Sequence, residues 1–173
     1  MKRSHRAAAI GGAFILAVAA GEAAAHVTAN PNQAPTDSWF RTALRVSHGC
    51  KGSSTVAVRV KLPDGVLSVR PQIKPGWEIS ISKRKLDQPI EGPHGTVTEV
   101  VDEVAWRGGP LPDAYFDEFG LSMRLPARGG TLYFPTVQEC EQGVHRWIEI
   151  PAGGQAWDDL EEPAPFVTLT PKK

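Results

Sequence analysis

The sequence predicts an all-β chain folded as a single β-sandwich domain, and three observations carry that prediction. Apolar and polar residues alternate at period two over many short stretches. Turn signals punctuate them at Pro63-Asp64-Gly65, Lys74-Pro75-Gly76, Gly108-Gly109-Pro110 and Gly129-Gly130. No stretch holds an apolar stripe at helical spacing. The 15 prolines and 17 glycines follow no period, which sets aside repeat architectures and disordered linkers.

Taken in order, residues 1–25 read as a signal peptide. Lys2, Arg3 and Arg6 precede an uncharged run from Ala7 to Gly21. Ala23 and Ala25 then supply the small residues that signal peptidase needs before its cut. The apolar run is too short for a bilayer span, which takes roughly 20 residues, and no later segment comes closer. Cleavage after Ala25 opens the mature domain, 26–173, on His26. Ala29 to Asp37 is turn-rich and leaves His26 on a short strand or arm. Thr55 to Leu62 puts Val56, Val58, Val60 and Leu62 on one face and Arg59 and Lys61 on the other. Trp77 to Ser82 alternates throughout, and Thr96 to Trp106 is long and β-branched. Phe119, Leu121, Met123 and Leu125 share one phase; Val144, Ile148 and Ile150 share another. Gln155 to Pro165 reads as an acidic loop before a last strand, Phe166 to Leu169.

Charge and cysteine count narrow the function classes. Basic and acidic residues balance at 19 each. Removal of Lys2, Arg3 and Arg6 against Glu22 tips the mature domain slightly acidic, against nucleic acid as a partner. Cys50 and Cys140 in an exported chain read as one disulfide, and closing so long a loop contributes about 4 kcal/mol in the chain-entropy model. Two cysteines at this spacing exclude a CxxC redox pair and a Cys-rich metal cluster. There is no GxSxG elbow, no phosphate-cradling glycine loop and no HExxH, so nothing points to a hydrolase.

The candidate chemistry centres on His26. A freshly cut N-terminus gives one residue two nitrogen donors, the α-amine and Nδ1, which close a chelate ring on a metal. Nitrogen ligands in a tetragonal array suit Cu(II), which also leads the divalent affinity order. The competing reading is a histidine that follows the cut by chance. Two further residues stand off the expected core phase. Glu118 falls opposite Phe119 and Leu121 and could give carboxylate oxygen, or could simply be solvated. Trp147 falls opposite Val144, Ile148 and Ile150 and could lay its ring face against a cation, or could lie over a loop. His145 and Glu149 share its face. Asp117, Glu139 and Glu141 are carboxylates able to replace Glu118, whereas His48 and His94 read as solvated loop residues.

With these residues in view, the chain resembles the YcnI-like copper-binding domains of bacterial exported proteins. The resemblance runs from Ala25-His26-Val27-Thr28 through Leu62-Pro63-Asp64-Gly65, Lys74-Pro75-Gly76-Trp77 and Trp106-Arg107-Gly108-Gly109-Pro110-Leu111-Pro112. It continues in Phe116-Asp117-Glu118-Phe119, Phe134-Pro135, Gln138-Glu139-Cys140, Gly143, Trp147-Ile148-Glu149-Ile150-Pro151 and Pro163-Ala164-Pro165. It implies an immunoglobulin-like or cupredoxin-like sandwich that binds Cu(II) through a mono-histidine brace. His26 would give its amine and Nδ1, Glu118 oxygen, and Trp147 would cover the ion. It further implies copper storage, buffering or transfer in the periplasm, with a second copper chaperone as partner. Some relatives carry a C-terminal membrane helix, which this sequence lacks.

Two other classes compete with a non-enzymatic copper binder. One is a copper oxidoreductase resembling the polysaccharide monooxygenases, with His145 as the second histidine of the brace; a carboxylate in that place favours binding. The other is an adhesion or interaction sandwich without metal.

Overall fold

The computed structural model describes residues 26–92 and 95–172; residues 1–25, read from the sequence as a signal peptide, and His94 lie outside them. Twelve strands follow one another. They are β1 (Thr28–Asn30), β2 (Gln33–Pro35), β3 (Trp39–Val46), β4 (Thr55–Lys61), β5 (Leu67–Pro71) and β6 (Trp77–Gly92). After them come β7 (Gly95–Leu111), β8 (Asp117–Arg124), β9 (Gly130–Tyr133), β10 (Thr136–Cys140), β11 (Val144–Trp147) and β12 (Phe166–Thr170). The only helical element among the described residues is a 3₁₀ turn, Trp157–Asp159. No helix there is long and apolar enough to cross a membrane.

The strands form two facing sheets, β1-β3-β8-β5 and β11-β10-β4-β7-β6, with a small third sheet, β2-β12-β9, at one end. Alternation explains the core. Val58, Val60, Val104 and Trp106 come inward from the larger sheet to meet Leu44, Val46, Phe119, Leu121 and Met123 from the smaller. The expected phase of Phe119 to Leu125 is the observed one. The strand expected at Trp77 extends ten residues further, to Gly92, as one arm of a hairpin with β7. The turn-rich opening holds β1 and β2, and β3, β5, β9 and β10 are strands beyond those the sequence pattern marks.

Cys50 and Cys140 are bonded, with Cα atoms 6.0 Å apart. The bridge ties the loop after β3 to the end of β10. Gly49 holds that loop in place: a Cβ there would run into the Ser53 carbonyl, and its N–H donates to Asp113 Oδ1 at 2.9 Å. His48 is thereby set beside β10.

Candidate functional site

Edge strands carry the site. β1 and β11 are edge strands of opposing sheets, and His26, just before β1, meets the end of β11. Val27 anchors it, being 1% exposed in the core. The His26 ring stands edge-to-face to Trp157, with centroids 5.0 Å apart at 86°, and to Trp147, 5.9 Å apart at 61°. Its Nε2 is buried without a hydrogen-bond partner. Nδ1 is the ring nitrogen nearer the main chain, so it is the one able to share an ion with an α-amine.

Trp147 corrects the sequence reading. It points into the core, 4% exposed, whereas Val144, Ile148 and Ile150 are 46%, 43% and 51% exposed. The strand is short and lies at an edge, and it ends at Trp147, so Ile148 and Ile150 fall outside it. The indole N–H donates to Gln138 Oε1 at 3.0 Å, which removes the cost of burying an unpaired donor. Gln138 is itself buried and donates to Thr55 Oγ1 at 2.8 Å and to the His48 carbonyl at 2.6 Å.

Two more imidazoles surround the indole. His145 stacks on it at 4.9 Å and 30°. His48 lies edge-on at 6.5 Å, so it is not the solvated loop residue its sequence context suggests. No described contact joins His145 to His26. His145 Nδ1 faces Glu162 Oε1 at 2.7 Å, and Glu162 Oε2 accepts the Arg146 N–H at 2.9 Å. This clamp holds the loop after β11, which carries Trp157, against the strand; Trp157 Nε1 is fixed on the Ala164 carbonyl at 2.7 Å.

Glu118 stands elsewhere. It pairs with Arg45 on β3, which pairs in turn with Thr28 on β1. Its exposed carboxylate makes no hydrogen bond or ion pair among the described residues, and it lines an outer groove with Arg41, Arg70, Gln72 and Ser122. Thus His26 and Trp147 meet, and no described contact joins Glu118 to either. Among the described residues, no three His, Cys, Asp or Glu side chains are grouped to hold a metal.

A family described as a domain of unknown function (DUF1775) matches residues 26–169. The chain belongs to this family. The DUF1775 match begins at His26, the residue on which the site is built. Among solved structures the chain is similar to an uncharacterized protein from Nocardia farcinica with an immunoglobulin-like fold. The two are 26% identical, with a TM-score of 0.63, over 83% of this chain and 97% of that one. A non-cellulosomal cohesin from the hyperthermophilic archaeon Archaeoglobus fulgidus aligns over 84% of this chain and 90% of its own, at 10% identity and a TM-score of 0.41. That likeness is too low to carry an argument. No curated protein matches the chain. The immunoglobulin-like alternative for this DUF1775 domain is therefore the one the fold supports.

Sequence reasoning missed Trp157, Gln138 and Glu162. Gln138 carried a usable signal, since it shares its strand phase with Cys140, whose disulfide implies an inward face. Trp157 carried none, because its contact with His26 spans almost the whole domain.

Proposed function

We propose that the chain is exported, is cut before His26, and then binds Cu(II) in the periplasm or outside the cell to store, buffer or pass on the ion. On this reading it performs no chemistry of its own and hands copper to a second chaperone. The observation that supports it most is the setting of His26. Nε2 is packed among indoles without a polar partner, so the ring is left with Nδ1 as its ligating atom. An N–H on Nε2 finds no hydrogen-bond acceptor among the described residues, and that tautomer leaves the Nδ1 lone pair for an ion. Once a leader is removed, the amine completes a two-nitrogen chelate, the donor type Cu(II) favours.

Trp147 would lie beside the ion and shield it from water without donating a lone pair. Glu118 enters as oxygen donor on the family resemblance alone.

Cu(II) titration followed by electron paramagnetic resonance, run on the chain beginning at His26 and on the same chain with one glycine added before it, tests the brace. The first should bind one Cu(II) with a nitrogen-rich signal. The second should bind at least about a hundredfold more weakly, a loss of roughly 2.7 kcal/mol. Equal affinity in the two forms overturns the reading.

A further inference from the structure

Beside the Trp147 indole, the His48 and His145 rings lie against each other, and neither needs the α-amine of His26. Their ring centroids are 5.9 Å apart at 86°. Each ring has its Nδ1 committed. His48 Nδ1 lies 2.6 Å from the Gly49 carbonyl; a carbonyl only accepts, so Nδ1 carries the proton. His145 Nδ1 lies 2.7 Å from Glu162 Oε1, and the other carboxylate oxygen accepts a backbone N–H, so this Nδ1 donates as well. In the neutral ring, Nε2 of both residues is then the lone-pair nitrogen. Donation of the second ring N–H to a carboxylate or carbonyl is how proteins fix ligating histidines.

The centroid separation is one that two imidazoles sharing an ion can adopt. With metal–nitrogen bonds of about 2.0 Å, two imidazoles sharing an ion hold their centroids roughly 5.1 Å apart at a tetrahedral angle and roughly 6.3 Å apart when linear. The observed separation falls between these, toward the linear end. No third His, Cys, Asp or Glu joins them among the described residues, which disfavours Zn(II), an ion that takes four ligands. Two nitrogens do satisfy a monovalent d¹⁰ ion. The surroundings select the same charge: both rings are half-buried, and His145 is stacked on Trp147. A site of low polarity penalises a dication more than a monocation, and the indole face gives a monocation a further contact.

We propose that His48 and His145 form a second copper site, specific for Cu(I), whose ligands are the two Nε2 atoms and whose geometry is set by Gly49 and Glu162. An entering ion replaces any hydrogen bond at the His48 Nε2. The site goes beyond the Cu(II) reading and does not depend on it, because it uses no atom of His26.

Anaerobic competition with bicinchoninate for Cu(I), run on the chain beginning at His26 and on its glycine-extended form, tests this. Both should bind Cu(I) with equal affinity, and His48→Gln and His145→Gln should each weaken it at least about tenfold, or roughly 1.4 kcal/mol. The Cu(II) signal of the brace should persist in both variants. Unchanged Cu(I) affinity in the two variants, or its loss on glycine extension, overturns the proposal. Ag(I) titration of the unmutated, ¹⁵N-labelled protein makes the test independent of variant folding. The Nε2 resonances of His48 and His145 should shift together, and a shift confined to His26, or none, sinks the site. Failure of the brace alone would show as equal Cu(II) binding by the extended form with these Cu(I) results intact.

Discussion

Replacing Gln138 by methionine keeps the volume of the side chain and removes its polar end. Gln138 is 1% exposed and satisfies three groups: the Trp147 N–H, the Thr55 hydroxyl and the His48 carbonyl. The Thr55 hydroxyl keeps a weak alternative in Cys140 Sγ at 3.8 Å, so most of the cost falls on the other two. Each orphaned buried group costs about 1–3 kcal/mol, which gives about 2–6 kcal/mol for the variant. Against a typical domain stability of about 5–15 kcal/mol, the protein should still fold. Urea unfolding with the disulfide intact should show a lower midpoint at unchanged slope. A double-mutant cycle sharpens the point. In a Trp147→Phe background, where the indole donor is gone, the cost of Gln138→Met should shrink by about 1–2 kcal/mol. A loss below about 1 kcal/mol in the parent, or full additivity in the cycle, would refute the claim that Gln138 is what lets Trp147 face inward.

Two further outcomes separate the contributions to the copper reading. Glu118→Gln should weaken Cu(II) at least about tenfold by isothermal titration if its carboxylate is a ligand; unchanged affinity would remove it from the site and leave the His26 chelate standing. Trp157→Ala takes away one of the two indoles that hold the His26 ring. Because such an aromatic pair is worth about 0.5–1.5 kcal/mol, Cu(II) affinity should fall about two- to tenfold, and Trp157→Phe should recover most of it. An alanine variant with unaltered affinity would show that Trp157 does not position the ligand.

The sandwich was legible because its rule is local. Val58 and Val60, or Phe119, Leu121 and Met123, announce an inward face within a few residues, and the turns between strands carry their own signals. The site was half legible for the opposite reason. His26 stood out through the cleavage pattern beside it, and Glu118 through the strong phase of β8, where it is indeed on the outer face. Trp147 was singled out on a mistaken face. Apolar Val144, Ile148 and Ile150 looked like a core row, yet Val144 sits on an edge strand and the two isoleucines lie beyond its end, so all three can be exposed at little cost, whereas the indole buries far more area once its N–H is satisfied. His48 looked like a solvated loop residue because the disulfide and the Gly49 turn that fold it onto β10 act across 90 positions. No local pattern encodes such a contact.

On the proposed reading, the geometry also suits an N-terminal residue to the ligand role. A ligand that uses its own α-amine must keep that amine at the surface while its ring is held rigidly, and the interior of a sheet allows only the second. An edge allows both. β1 is an edge strand, so a chain cut before His26 would end beside the rim of the sheet, and Val27, one residue later, is locked in the core. The opposing edge, β11, brings Trp147 against the ring, and the loop held by Glu162 brings Trp157. The same edge gathers His48 and His145 on that indole.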